Sequence, residues 1–243
     1  MQHPVTGADE SAAGTDADPA VEPDTAEAVP ARSRARRVWW PAALATAVAL
    51  CLGVPALLAS GPSASGTSAA APSNTSAEAG FARDMAAHHQ QAIDMSFIVR
   101  DRTQDSAVRN LAFDIINTQA NQRGMLMGWL DHWGLPQSSG DQPMAWMKMD
   151  HAYVAHDGSL MPGMATNADL AKLRTLSGRD AEVFYLQLMV QHHKGGVEMA
   201  QGYVDLSADP VEKRLAQTMV NGQLSEIDMI TQMLAERGAK PLP

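Results

Sequence analysis

Cysteine is almost absent from this chain, whose 243 residues contain a single one, Cys51. A disulfide framework, a zinc site built from several thiolates and an iron–sulfur cluster are excluded, because each needs more than one cysteine. Basic residues are also scarce, with 18 Lys and Arg against 27 Asp and Glu and a formal net charge of −9. Nucleic-acid binding needs a basic face, so we expect no nucleic-acid partner.

Charged residues are missing altogether between positions 38 and 77. Within this stretch, Thr46 is the only polar side chain of residues 38–59, which as a helix would extend about 33 Å and cross a hydrocarbon core of about 30 Å. An arginine cluster precedes them, and the positive-inside rule places such a cluster in the cytoplasm. The sequence therefore predicts a transmembrane signal-anchor helix at 38–59, followed by an extracytoplasmic domain. Secretion after cleavage of a signal peptide is the alternative.

The segments on either side of this helix lack the large apolar side chains that a core requires. Residues 1–37 are rich in Ala, Asp, Glu, Pro and Thr, which predicts a disordered cytoplasmic tail. Residues 60–77 contain mainly Ser, Gly, Ala and Pro, which predicts a flexible linker. We therefore expect one folded domain, at residues 78–243, in a protein that passes once through the cell membrane.

Methionine is abundant instead, with 15 in the chain, and the folded part repeats itself at a constant offset. A shift of 104 residues aligns the two His-His pairs and the methionines beside them: Met85, His88, His89 and Met95 with Met189, His192, His193 and Met199. A match without gaps over roughly 50 residues indicates a duplication. The repeats span about 81–134 and 185–238, and residues 135–176 connect them.

Each repeat has the pattern of two amphipathic helices. Core-type residues in the first helix are spaced by 4, 3, 4, 3 and 4, as in Phe81, Met85, His88, Ala92, Met95 and Val99. The same spacing predicts stripes on the second helices: Leu111, Ile115, Thr118, Gln122, Met125 and Trp129, then Leu215, Met219, Gly222, Glu226, Met229 and Met233. Asp105 and Asp209 are predicted N-caps, and Gly134 and Gly238 predicted C-terminal stops. Two hairpins that bury their stripes together predict an all-α fold, a four-helix bundle.

The histidines fall on the predicted core stripe beside thioethers. His88 and His192 each have a methionine three residues before and seven residues after, on the same helical face. Imidazole and thioether are good ligands for Cu(I) and Ag(I) and poor ones for Mg or Ca. His89 and His193 are rotated by about 100°, at the edge of the stripe. Glu226 occupies a core position, where a carboxylate needs a partner such as histidine or a metal ion.

The connection carries further soft donors. Met144, Met147 and His151 are predicted to share one helical face, and Met161 and Met164 follow within a Met-Pro-Gly-Met segment. These five residues are a possible second metal site. Methionine more often fills a core than binds a metal, and that alternative stays open here.

Three sequence phrases, His88–Met95, Met161–Met164 and His192–Met199, resemble the domain-of-unknown-function 305 family. The resemblance covers about residues 78–240 and implies a ferritin-like fold in an exported bacterial protein. Some family members, of the CopM type, bind Cu(I) and Ag(I). By that similarity the candidate ligands are His88, His89, Met95, His192, His193 and Met199, to which the stripe adds Met85, Met189 and Glu226. The family's Gln-x-x-Glu-Ile pattern is present at Gln223–Ile227 only, so a symmetric carboxylate role is not expected.

These patterns favour an extracytoplasmic, membrane-anchored protein that sequesters Cu(I) or passes it to an unidentified partner protein, without catalytic turnover. A metal other than copper is an alternative cofactor. One alternative is a metal-dependent oxidase or reductase on the same bundle, because Gln122, Gln223 and Glu226 would add polar groups. The other alternative is a structural or pH-sensing module without metal. The chain lacks a nucleophile–base motif, a phosphate-binding glycine loop and the Glu-x-x-His motif of di-iron bundles.

Overall fold

The computed structural model describes residues 71–147 and 153–243. Their helices are α1 Ala77–Arg102, α2 Ser106–His132, α3 Asn167–Thr175, α4 Gly178–Leu206 and α5 Pro210–Glu236, with one 3-10 turn at Ala145–Met147. No strand occurs in these two stretches, so the all-α prediction is confirmed. The predicted tail, transmembrane helix and most of the linker lie outside the described residues. Of the helices that are described, none is both long enough and apolar enough to cross a bilayer.

The helix ends use the predicted capping residues. Asp105 accepts a hydrogen bond from the backbone N–H of Val108 at 3.0 Å. Asp209 accepts from two backbone N–H groups at the start of α5, at 2.7 and 3.0 Å. Gly134 and Gly238 have φ angles of 67° and 63°, in the left-handed region that favours glycine and ends a helix. The duplication therefore extends to both ends of the second helix of each repeat.

The long helices form two antiparallel hairpins, α1–α2 and α4–α5, which pack together through α1 and α4. The contacts between α1 and α4 show that these two helices are also antiparallel: Phe81 stacks on Tyr203, His88 lies against His192, and Ser96 hydrogen-bonds to Tyr185. Because His88 and His192 are equivalent positions of the two repeats, their contact lies on the approximate two-fold axis that relates the hairpins. Residues near this axis meet their own duplicates.

The apolar core is split into two clusters with the histidines between them. The first cluster contains Met95 and Met189, and the second contains Met85 and Met199. All four methionines are fully buried, and all four long helices contribute to both clusters. Along α1 and α4, the His-His pairs fall in the interval between the two clusters, so a polar layer separates two apolar ones.

The predicted stripes of the second helices are partly wrong. On α2, Gln119 is buried whereas Thr118 and Met125 are exposed, and on α5, Gln223 is buried whereas Gly222 and Met229 are exposed. On each helix a buried glutamine lies four positions after a buried residue of the stripe (Gln119 after Ile115, Gln223 after Met219), whereas the prediction placed the next stripe residue three positions after. The reason is that α2 packs on α1, α5 packs on α4, and α2 and α5 make little contact with each other.

The connection also differs from its prediction. Met144 has a φ of 67° and precedes the single 3-10 turn, so the shared helical face of Met144 and Met147 does not form. His151 lies outside the described residues. The Asp84 carboxylate holds this turn by accepting hydrogen bonds from the N–H of Met144 at 2.7 Å and from Nε1 of Trp146 at 2.9 Å. The helix α3, which begins with a capping box between Thr166 and Asp169, was not anticipated.

Candidate metal centre

Four imidazoles form a layer in the centre of the domain, and the layer consists of His88, His89, His192 and His193. All four residues are fully buried, with an exposed fraction of 0%. The ring centroids of His88 and His192 are 3.7 Å apart and their planes are inclined by 33°. We expected His89 and His193 at the edge of the stripe, but they are as buried as their neighbours because α2 and α5 cover this side of α1 and α4.

Hydrogen bonds fix the tautomer of two of these rings. Nε2 of His192 donates to the backbone oxygen of His88 at 3.0 Å, because a carbonyl can only accept. Nε2 of His193 lies 2.5 Å from a carboxylate oxygen of Glu226. In each neutral ring the proton is therefore on Nε2, and the lone pair is on Nδ1. The partner predicted for the Glu226 carboxylate is thus a histidine.

The remaining nitrogens of the layer make no hydrogen bond of good geometry with the described residues, although the Pro162 backbone lies near His88 and the Gln122 side chain near His89. They number six: both nitrogens of His88, both of His89, and Nδ1 of His192 and of His193. The side-chain amides of Gln119 and Gln223 are buried and unpaired in the same sense. Gly196 allows Gln223 to approach α4, since a Cβ there would collide with the Gln223 amide oxygen. Unpaired polar atoms of this domain are therefore concentrated around the histidines.

Three of the histidines, His88, His89 and His192, are held in their neutral form. Burial lowers the pKa of His88 to about 3, and the neighbouring imidazoles His89 and His193 lower it further. Burial, with His193, also lowers the pKa of His89 to about 3, against a small opposing effect of Gln122. The pKa of His192 is lowered by burial and then by His88. A neutral imidazole carries the lone pair that a metal ligand needs, without prior loss of a proton.

The two repeats differ beside this layer. Glu226 contacts His193, whereas the equivalent of Glu226 in the first repeat is Gln122, which lies near His89. Glu226 is partly exposed, with a side-chain exposed fraction of 22%. The layer therefore has one carboxylate, on the side of α5.

The Met-Pro-Gly-Met segment covers the His88–His192 side of the layer. Gly163 and Gly195 make this approach possible, because a Cβ on Gly163 would collide with the Gln191 carbonyl and a Cβ on Gly195 with that of Pro162. The Gln91 side-chain amide fastens the segment through two hydrogen bonds to the backbone of Ala165, at 2.9 and 2.7 Å. No role was predicted for Gly195, although a glycine pair inside a helix, two residues after His193, is a signal for such a close approach.

The candidate donors are distributed as follows. Met85 and Met199 belong to the apolar cluster on one side of the layer, and Met95 and Met189 to the cluster on the other. From the possible second site, Met144 and Met161 are buried in the Met85 cluster, and Met147 and Met164 pack against it. Within the described stretches, no group of three or more His, Cys, Asp or Glu is arranged to hold a metal ion. The fold brings the histidines together, with the rings of His88 and His192 in contact and tilted by 33°.

Solved structures with similar folds include two DUF305 proteins. One, from Streptomyces coelicolor, is 58% identical, has a TM-score of 0.65, and is matched over 70% of this chain and 99% of its own. A DUF305 fragment from Deinococcus radiodurans is 32% identical, with a TM-score of 0.54, over 66% of this chain and 96% of its own.

CopM in its Cu(I)-bound form is 22% identical, with a TM-score of 0.48, over 64% of this chain and 94% of its own. Because the sequence identity is this low, the Cu(I) in that crystal is reported for CopM only and not for this chain. No curated protein matches the chain. The family model for a domain of unknown function, DUF305, matches residues 78–234, and the chain therefore belongs to the DUF305 family.

Proposed function

We propose that this protein binds Cu(I) or Ag(I) at the histidine layer and stores the ion or passes it on, without catalytic turnover. One observation carries the proposal: six buried imidazole nitrogens, contributed by both repeats, make no hydrogen bond of good geometry with the described residues. A buried polar group without a partner costs about 1–3 kcal/mol. A fold that concentrates such groups in one layer is more stable when a ligand occupies them.

The donor set favours a soft monovalent ion. The donors are neutral imidazoles, with four buried thioethers in the adjoining clusters and one carboxylate, Glu226, beside the layer. Magnesium and calcium prefer oxygen ligands, and dimetal bundles need several carboxylates. Soft thioethers and imidazoles suit Cu(I). The two Nδ1 lone pairs of His192 and His193 are the first candidates, since hydrogen bonds already set their tautomers.

Binding requires the rings to turn, since among the described residues no three His, Cys, Asp or Glu side chains are arranged to hold a metal ion. The rings of His88 and His192 lie against each other, with centroids 3.7 Å apart and planes tilted by 33°, whereas a metal ion is bound in the plane of an imidazole. Rotation about the side-chain torsions would aim lone pairs from both repeats at a common point. We therefore expect metal binding to change the environment of these rings, and the NMR signals of the four histidines are a direct readout.

The proposed location follows from the sequence. The arginine cluster followed by the apolar residues 38–59 supports a single-pass anchor, with the domain outside the cytoplasm. Outside the cell paired thiols tend to oxidise, and methionine is a soft ligand that does not form disulfides. The domain contains no cysteine, which is consistent with this location.

Competition against a coloured Cu(I) chelator under anaerobic conditions tests the proposal. The full-length chain carries Cys51→Ser, which removes its only thiol. We expect the double variant His88→Gln/His192→Gln to lose at least about tenfold in affinity, because ligand and ligand-orienting groups are commonly worth that much. The matched control is His132→Gln/His156→Gln, which removes two exposed histidines.

Equal affinities of the two double variants contradict the proposal. Circular dichroism shows whether the variants fold. If the layer variant does not fold, the wild-type chain alone tests the proposal. Ag(I) must then raise its unfolding temperature, and X-ray absorption of the bound ion must show nitrogen neighbours.

A pH-responsive structural module is the second candidate. It is favoured by the contact of two neutral rings at 3.7 Å, which protonation would turn into a repulsion between like charges. In that case acid would change the conformation, and neither Cu(I) nor Ag(I) would alter the stability at pH 7.5.

A further inference from the structure

The buried imidazoles can exchange a metal ion with solvent only along a path between helices, and one side of the layer is closed. On the His88–His192 side, the backbone of Pro162 and Gly163 packs directly on α4, with no room for a Cβ at Gly163 or Gly195. Gln91 fastens this segment with two buried hydrogen bonds to Ala165. An ion that approached from this side would have to displace packed backbone.

The opposite side is covered by α2 and α5, but here a single side chain reaches from the layer to solvent. The two helices pack on α1 and α4 rather than on each other. Glu226 is here both partly exposed and in contact with buried His193. A Cβ added to Gly222, one turn before Glu226, would meet no atom within 4 Å. Glu226 therefore links the layer to solvent.

The exposed methionines mark the same side. Among the methionines that the structure describes, only Met125 and Met229 are exposed, with exposed fractions of 48% and 45%. They are equivalent positions of the two repeats. Met229 lies one turn after Glu226, and Met125 lies one turn after Gln122, so each shares a helical face with the residue that flanks a buried histidine. Packing does not explain these side chains, because about half of each is in water.

We propose that the soft ion enters on the α2–α5 side, beside the partly exposed Glu226, and that the thioethers of Met125 and Met229 capture the ion first. The proposal rests on metal binding at the histidine layer. A thioether is a neutral, soft donor that binds Cu(I) or Ag(I). From Met229 the ion passes to the Glu226 carboxylate, whose negative charge attracts it. It then passes the His193 ring, whose Nε2 faces Glu226, and reaches the lone pairs inside the layer.

Capture at the surface raises the local concentration of the ion beside the buried ligands. This effect changes rates and leaves the final complex unaltered, since the surface thioethers are not ligands of that complex. Uptake and release must consequently slow by the same factor when the thioethers are removed, because the ion leaves by the path on which it arrives.

Stopped-flow transfer of Cu(I) from a coloured chelator measures the rate, and equilibrium competition with the same chelator measures the affinity. The full-length chain in the Cys51→Ser background is compared with Met125→Leu/Met229→Leu. Leucine keeps the size of the side chain and removes the sulfur. The matched control is Met127→Leu/Met233→Leu, which removes two thioethers that pack in or on the apolar core and are not candidate ligands.

We expect the surface variant to take up and release Cu(I) about tenfold more slowly, with unchanged affinity, and the control to behave as the parent chain. An unchanged rate overturns the route. A loss of affinity as large as the loss of rate also overturns it, because the thioethers would then belong to the final complex. A parent chain that takes up no Cu(I) overturns the proposed function itself, which separates the two failures.

Discussion

Acid should destabilise this domain steeply, and the buried histidines set the size of the effect. In the folded state burial keeps the pKa of His88 and His89 at about 3, whereas an unfolded histidine has a pKa of about 6.5. Above pH 6.5 both states are neutral at these residues and the penalty is absent. As the pH falls from 6.5 towards 3, the unfolded chain takes up protons that the folded chain does not, so the free energy of unfolding falls.

The magnitude follows from the linkage relation. One pH unit is worth about 1.4 kcal/mol per group, so each of these histidines lowers the free energy of unfolding by about 2 kcal/mol between pH 6.5 and pH 5. His192 acts in the same direction, because its pKa is also lowered. Asp84 and Glu212 act in the opposite direction, since burial raises their pKa and protonation relieves a penalty. The histidines should dominate, because they have the larger shifts.

Urea denaturation of the metal-free chain at pH 7.5, 6.5, 5.5 and 5.0 measures this effect. We expect a loss of several kcal/mol between the first and last pH, which is a large part of the total stability of 5–15 kcal/mol of a typical domain. His132→Gln/His156→Gln, the variant without two exposed histidines, should show the same loss. A free energy of unfolding that stays level down to pH 5 would refute the assignment of these rings as neutral, buried groups.

Three further outcomes are expected. Glu226→Gln should weaken Cu(I) binding about tenfold or more, as loss of a partner that orients a ligand does, and Gln122→Asn, measured in the same competition, should change it little. Gly195→Ala should lower the free energy of unfolding by at least about 2 kcal/mol, because the new methyl group collides with Pro162. Gly222→Ala, at a helical position with open space, should raise it by about 0.5–1 kcal/mol; similar effects of both alanines would contradict the packing described here. Asp209→Ala should cost about 1 kcal/mol in thermal unfolding, since α5 loses two capping hydrogen bonds.

The first helix of each repeat was predictable from sequence because its neighbours lie on several sides. Met85, Met95 and Val99 on α1 are all buried as expected, since α2, α4 and the connection cover this helix. The second helices were harder, because each packs mainly on one partner. After Ile115 the predicted stripe is wrong by one residue, so that Thr118 was placed in the core instead of Gln119. Hydrophobicity could not distinguish the two residues, because both are polar.

The site was predictable in composition and not in geometry. The repeat predicted that His88 and His192 fall on core-facing stripes of both halves, but spacing within a helix carries no information about the direction of an imidazole. The contact between Glu226 and His193 depends on the distance between α4 and α5. The close approach of Pro162 to Gly195 depends on a connection of some 40 residues, whose path no local pattern specifies.

The duplication itself explains why a chain with so few histidines can build such a layer. Two copies of a hairpin related by a two-fold axis bring each residue near the axis against its own duplicate, so one His-His pair in the ancestral unit supplies four imidazoles. Identical copies would also give identical flanking residues, and therefore either no carboxylate beside the layer or two. The present chain has Glu226 in one copy and Gln122 in the other. A single carboxylate beside the layer supplies one negative charge, which matches the proposed monovalent ion, Cu(I) or Ag(I), better than a divalent one.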